Sequence, residues 1–175
     1  MATLMSPDAR FRESWLAAAE EFNGESMDGS GVYGENPLER VRTEISDDFS
    51  AFVEGLLAER LAETPRPEGY VPCTYLWLVE NDEFLGSLAI RHTLNDFLFE
   101  QGGHIGYSVR PSARRQGHAS RALHDALPAA YDLGISALLI TCAETNTGSR
   151  AVIEKNGGVY EDTRDGTRRY WITPS

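Results

Sequence analysis

Apolar residues recur along this chain with two different periods, and the change between them divides it. Up to about residue 65 the spacing is helical. Phe11, Trp15, Ala18 and Phe22 fall on one helix face. Ser6-Pro7-Asp8 ahead of them reads as a cap, a proline at the first helical position and an acidic first turn. A second stripe, Val41, Ile45, Phe49, Phe52, Leu56 and Leu57, follows the start signal Asn36-Pro37, and Ser46-Asp47 is placed to break it and cap a second piece. Between the stripes, Asn23 to Pro37 holds Gly24, Gly29, Gly31 and Gly34; it is long for a loop inside a compact domain, which marks it as mobile or functional. From residue 74 the period drops to two. TYLWLVE (74–80) and LGSLAIRH (85–92) read as hairpin strands joined by NDEF, and GHIGYSV (103–109) reads as a third strand after a loop. A helix is predicted over 117–133, kinked or cut at Pro128. SALLITC (136–142) is a short buried strand whose place after a helix predicts a parallel crossover, and Asn146 to Lys155 is a helix ended by Gly157-Gly158. GVYED and RRYWI form a last hairpin around Asp165-Gly166. The sum is an α+β or α/β fold: a mixed, mostly antiparallel sheet flanked by helices, with a helical N-terminal segment.

A length of 175 residues predicts one domain over 1–175. MATLMSPDARFR lacks the apolar run of a signal peptide, and no stretch approaches the roughly 20 apolar residues of a membrane helix, so a cytoplasmic protein with no membrane partner is expected. Cys73 and Cys142 are then expected as reduced thiols, and with four histidines they lack the spacing of a zinc site, so no metal is expected. The net charge of −11 is uneven. Residues 1–70 carry 15 Asp and Glu against 6 Arg, and residues 71–175 carry 12 against 10 Arg and Lys. Nonspecific nucleic-acid binding needs a basic face, so no nucleic-acid partner is expected. The acidic half is a solubilising surface, or a field that favours a cationic substrate.

The chemistry concentrates in ARRQGHASRAL (113–123). A helix starting near Gly117 presents backbone N–H groups without internal partners and the positive end of its dipole. Gly117 lets a bulky anion approach, Ala119 and Ser120 keep the next turn clear, and Arg114 and Arg115 add charge suited to phosphate. The Walker and Rossmann glycine patterns are both absent. Alone, the loop is also compatible with an ordinary capped helix.

Its surroundings are more specific. IGYSVRPSARRQGHASRAL resembles the acyl-CoA signature of the GNAT acetyltransferase superfamily, with Val109, Pro111, Arg114, Gly117 and Ala119 at the matching positions. NTGSRAVIEKNGG (146–158) is similar to that superfamily's later motif through Asn146, Ser149, Glu154, Lys155 and Gly157. The resemblance covers residues 74–172 and leaves the helical first 70 less readily matched. It implies an acetyl-CoA-binding core over 73–175, with residues 1–72 on the acceptor side. Acetyl-CoA would be the cosubstrate of an N-acetyltransferase acting on a primary amine, of a small molecule or a protein, by direct attack in a ternary complex. The alternative is a non-catalytic acyl-CoA sensor or interaction module. The resemblance also implies that Val109, Arg110 and Pro111, then Arg114, Arg115, Gln116 and Gly117, then His118, Ala119 and Ser120 hold the cofactor, with Asn146 and Ser149 near its sulfur end. The Val109 amide would face the thioester carbonyl.

Acetylation needs a neutral amine, so a general base is expected. His104, on the strand leading to Val109, is the first candidate, because an imidazole near its free pKa of about 6.5 accepts a proton at neutral pH. His92 and Glu144 are the others. Many family members place an acidic tyrosine in the helix after Asn146; that position here is Ile153, which leaves the acid unassigned. Tyr107 is a possible donor, better suited to the core. Trp15, Trp77 and Trp171 fit core or interface positions better than a cage for a cationic amine. Exposed edge strands and the final hairpin are compatible with a homodimer, and the sequence gives no oligomeric state.

Overall fold

The computed structural model describes residues 1–173. Seven strands form one sheet: β1 (Thr3–Met5), β2 (Cys73–Glu80), β3 (Glu83–Arg91), β4 (Ile105–Val109), β5 (Leu138–Ala143), β6 (Val159–Arg164) and β7 (Thr167–Ile172), in the spatial order β1-β2-β3-β4-β5-β7-β6. Only β4 and β5 run parallel. Five helices cover it: α1 (Arg12–Phe22), α2 (Pro37–Arg40), α3 (Phe49–Ala58), α4 (His118–Asp132) and α5 (Thr147–Lys155). This is the mixed, mostly antiparallel architecture that the change of period predicts.

Both sheet faces are covered, so strands β2 and β3 are apolar on both sides and their alternation sorts residues between two cores. Leu78, Leu88, Ile90, Ile105 and Ile140 pack with Leu123, Ala126 and Ile153 under α4 and α5. Trp77 and Phe84 pack with Trp15, Phe49 and Val53 under α1 and α3. Trp15 and Trp77 are fully buried and stacked, with ring centroids 6.5 Å apart. They belong to the core, as their helical and alternating positions suggest.

Local signals set the boundaries with small shifts. Asp8, two residues beyond the expected Ser6, accepts the Arg10 N–H at 2.9 Å, and a 3-10 turn leads into α1. Asn36 caps α2 with Pro37 at its first position. A π-turn over Val41–Ile45 follows, and Asp48, rather than Ser46-Asp47, caps α3. The β2–β3 turn is only Asn81-Asp82, both left-handed at φ 51° and 62°, which shortens the expected NDEF loop to a two-residue hairpin turn. Asp165-Gly166, at φ 47° and 77°, closes β6 onto β7 in the same way. Helix α4 runs through Pro128. The ring removes one backbone hydrogen bond, to the His124 carbonyl, and His124 is exposed, where water can replace the lost donor. The buried stripe Ala122, Leu123, Ala126 and Ala130 holds the helix together across it.

Candidate functional site

The site originates in how β5 divides its hydrogen bonds. It pairs with β7 along its whole length, from Leu138 opposite Ile172 to Ala143 opposite Thr167. It meets β4 at a single pair, Ile105 with Ile140. Beyond that point the two parallel strands diverge. On its other side β4 stays in register with β3: the Arg110 N–H bonds the Leu85 carbonyl at 2.8 Å, and the Arg91 N–H bonds the His104 carbonyl at 2.7 Å. Hydrogen-bonded pairs alternate along an antiparallel ladder, so the backbone groups of Tyr107 and Val109 point toward the gap. A cavity of about 780 Å³ fills it, lined by Tyr107, Val109, Thr141, Cys142, Asn146 and Ser149 among others.

At one end of this gap is the turn into α4. Arg115 and Gly117 are both left-handed, at φ 62° and 83°, and no side chain caps the helix. The first N–H groups of α4 therefore lack a side-chain partner, at the positive end of the dipole. A Cβ on Gly117 would meet nothing within 4 Å, so the space over the turn is open. Arg115 and Gln116 are exposed beside it, with His118 and Ala119 half-buried on the first turn. Ser120 is tied to the end of α5 instead: its carbonyl and Oγ accept the Asn156 Nδ2 at 3.3 and 3.2 Å.

The two arginines that flank Pro111 behave differently. Arg114 lines the cavity; its Nε bonds the Val109 carbonyl at 3.1 Å and its Nη2 bonds Glu25 at 3.2 Å. Arg110 turns away from the cavity. Its Nε and Nη2 grip both oxygens of Glu21 on α1 at 3.1 and 2.8 Å, and its Nη1 bonds the Phe84 carbonyl at 3.1 Å. Hydrogen bonds from Arg110, together with those from Ser112, hold the Glu21 carboxyl down to about 2 despite partial burial. The Arg110 side chain is thus a strut between α1 and the end of β4.

None of the three expected catalytic residues reaches the cavity. His104 is 6% exposed, and its Nδ1 accepts the Leu139 N–H at 3.0 Å. Burial and the nearby Arg91 charge push its pKa down to about 4. It is a neutral bracket that joins β4 to β5, and it does not line the cavity. The assignment has a pH signature. An unfolded histidine takes a proton below about 6.5, while the folded one stays neutral down to about 4. Stability is then complete above pH 6.5 and falls as pH drops toward 4, by about 2–3 kcal/mol at pH 4.5. His104→Gln, which keeps an acceptor for Leu139, should lose this part of the decline; equal melting-temperature slopes between pH 7 and 4.5 in both proteins would remove the assignment. His92 sits outside the cavity with its Nε2 2.7 Å from Thr74 Oγ1, its pKa lowered by burial and by Arg66. Glu144 is exposed beyond the end of β5, its N–H bonded to Gly166.

Tyr107, expected in the core rather than as a donor, is among the residues that face the cavity. Tyr107 extends its phenol across the gap to Ser149 Oγ, 2.7 Å away on α5. Burial pushes that phenol up to about 12, so it stays protonated at neutral pH. Ile153, at the position where the motif often has tyrosine, is fully buried in the core. Asn146 uses its Oδ1 to cap α5 at Ser149 N, 3.0 Å away. Cys142 is a buried free thiol on the cavity wall, raised by burial. The glycine-rich 23–36 segment forms the far wall through Glu25, Ser26 and Asp28. It is docked, since Gly29 packs directly on the Gly106 carbonyl. Glycine density and loop length are the sequence signals for it.

The comparisons agree with this geometry. The profile of the acetyltransferase (GNAT) domain matches residues 39–159. Among solved structures, the microcin C7 self-immunity acetyltransferase MccE, in complex with acetyl-CoA and AMP, is 18% identical over 99% of this chain and 92% of that one, with a TM-score of 0.66. Mycobacterium smegmatis RimJ with a CoA disulfide is 21% identical over 98% and 81%, at 0.71. RimL, a ribosomal L7/L12 α-N-protein acetyltransferase with coenzyme A, is 17% identical over 98% and 93%, at 0.64. No curated protein sequence matches. Among the described residues no helix is long and apolar enough to cross a membrane. With the domain profile spanning more than half of the sequence and the splayed strands beside an uncapped glycine turn, the chain belongs to the GNAT acetyltransferase family.

Proposed function

We propose that this protein is an acetyl-CoA-dependent N-acetyltransferase that passes the acetyl group directly to a primary amine in a ternary complex. The observation that carries this reading is the one-sided opening of β4 at Tyr107 and Val109, continuous with the uncapped turn at Gly117. The Tyr107 and Val109 N–H groups and the Tyr107 carbonyl suit an extended amide-bearing arm, as an added strand would, while the Val109 carbonyl is held by Arg114 Nε. The amides of His118, Ala119 and Ser120, with the Arg115 charge, suit its pyrophosphate. Val109 N–H is placed to donate to the thioester oxygen, and Asn146 Nδ2 is free to donate to the arm. Tyr107, oriented by Ser149, donates a hydrogen bond to the departing sulfur. Asp28 is the cavity carboxylate not paired with an arginine, since Glu25 pairs with Arg114. Asp28 takes the amine's proton, directly or through water. For a lysine-like amine of pKa about 10.4, deprotonation at pH 7.4 costs roughly 4 kcal/mol.

The expected result is a melting-temperature rise of about 5–10 °C with acetyl-CoA or CoA at 100 times the Kd, which corresponds to about 2.7 kcal/mol. ATP and NAD should give no comparable rise. Arg115→Glu and Gly117→Glu, still folded, should lose most of the shift. No shift with CoA would remove the reading. The competing reading, CoA binding without turnover, is favoured by the distance of His92, His104 and Glu144 from the cavity. Thiol release over a broad amine panel separates the two.

A further inference from the structure

At the acceptor end of the cavity, one guanidinium is held in place and left half used. Arg91 ends β3 and lines the cavity between the 23–36 segment and the π-turn Leu98–Gly102. Its Nη1 donates to the Gly102 carbonyl at 2.9 Å and the Gly103 carbonyl at 3.3 Å. The group lies over the bare strand at Gly106, where a Cβ would sit 3.2 Å from Nη2 and 3.6 Å from Nη1. Nε and Nη2 form the other edge of the guanidinium, and among the described residues no carboxylate occupies it. In two other arginines that edge is filled by a carboxylate. Arg42 uses it on Glu20 and Arg110 uses it on Glu21. A fixed, unfilled fork matches the two oxygens of a planar carboxylate.

We infer that Arg91 is a specificity determinant for the acceptor, and that the acceptor is an amine that also carries a carboxylate. This rests on the acetyltransferase reading above. The cavity then presents opposite charges to the two ends of one molecule, Asp28 to the ammonium and Arg91 to the carboxylate. Phe97, 67% exposed at the same wall, covers the carbon chain between them. An acceptor of this kind has little net charge. The acidic first half of the protein then steers it weakly, unlike the cationic amine that the charge distribution alone suggests.

The test uses the full chain, acetyl-CoA and matched pairs of acceptors. One arm holds free alanine, serine, glutamate and lysine against their α-carboxamides, and the other holds the tripeptides Ser-Asp-Gly and Ser-Asn-Gly as C-terminal amides. A preference in the first arm points to free amino acids, and in the second to acidic peptide N-termini. In at least one arm, kcat/KM should favour the carboxylate member by tenfold or more. In Arg91→Gln that ratio should fall toward one through KM, with the kcat of the carboxylate member and the kcat/KM of the carboxamide member little changed. Arg91→Lys keeps the charge and a donor for Gly102 but lacks the fork, so it should recover only part of the ratio and also shows whether bracing of the π-turn is the cause of any loss. A wild-type ratio near one in both arms, or a ratio untouched in both variants, overturns the inference. So does the absence of both turnover and calorimetric binding of every carboxylate member to the CoA-saturated protein; a CoA-induced melting shift retained in that case leaves the acetyltransferase reading standing.

Discussion

Tyr107→Phe should lower kcat about 10–100-fold while leaving the CoA-induced melting shift intact. The phenol bonds Ser149 Oγ at 2.7 Å across the cavity and makes no other side-chain hydrogen bond among the described residues. Its pKa, pushed up to about 12 by burial, decides what it can do. A free thiol has a pKa of about 8.5, so this phenol does not hand its proton fully to a thiolate. It can stabilise the developing charge through a hydrogen bond, and such a bond to a charged group contributes about 1.5–3 kcal/mol. At about 1.36 kcal/mol per decade, that gives the stated loss in rate. Ser149→Ala should cost less, because it removes only the group that orients the phenol. The pH dependence provides a second check. The protonated phenol is the working form and ionises only near 12, so kcat should show no alkaline decline from Tyr107 between pH 8 and 10. A decline in that range that disappears in Tyr107→Phe would contradict the role given to it.

Gly29→Ala should destabilise the protein by about 3 kcal/mol or more, or lift the 23–36 segment off the sheet. Gly29 is left-handed at φ 76°, and a Cβ there would lie 2.3 Å from the Gly106 carbonyl oxygen and 3.1 Å from the Ala89 nitrogen. The obstacle is backbone on both sides and cannot rotate away. The left-handed backbone alone costs an alanine about 1–2 kcal/mol, and the clash adds to it. For a chain of this size the loss reads as a drop of about 6–12 °C. If the segment lifts instead, Asp28 leaves the cavity wall, so turnover should collapse while CoA still binds. Gly24→Ala is the control, with φ 88° and nothing within 4 Å of its would-be Cβ. It should cost only the backbone term. Equal stability and activity in the two variants would show that the Gly29–Gly106 contact does not form.

Much of the fold is legible from local rules. Helical stripes, the caps Asn36 and Asn146 and the turn Asp165-Gly166 act over a few residues, and each is found within a residue or two of its expected place. The glycine turn before α4 is legible for the same reason, because φ at Gly117 and an uncapped helix start are local properties. Strand β1 was missed because three residues are too few to show a period; its pairing with β2 defines it. The site was only partly legible. Alternation correctly separates His104 from Tyr107 on β4, but a strand pattern does not reveal what waits on each face. His104 met the Leu139 N–H and became a bracket, while Tyr107 met Ser149 across a gap. Arg110 and Arg91 look alike in the sequence. One found Glu21 on a helix 89 residues away, and the other was left with an open fork over Gly106. The sequence by itself determined the elements and the anion turn, since their physics is short-ranged. Tertiary structure alone decided which polar groups are engaged and which face the cavity, because that depends on where β5 leaves β4 and on the partners that distant segments bring.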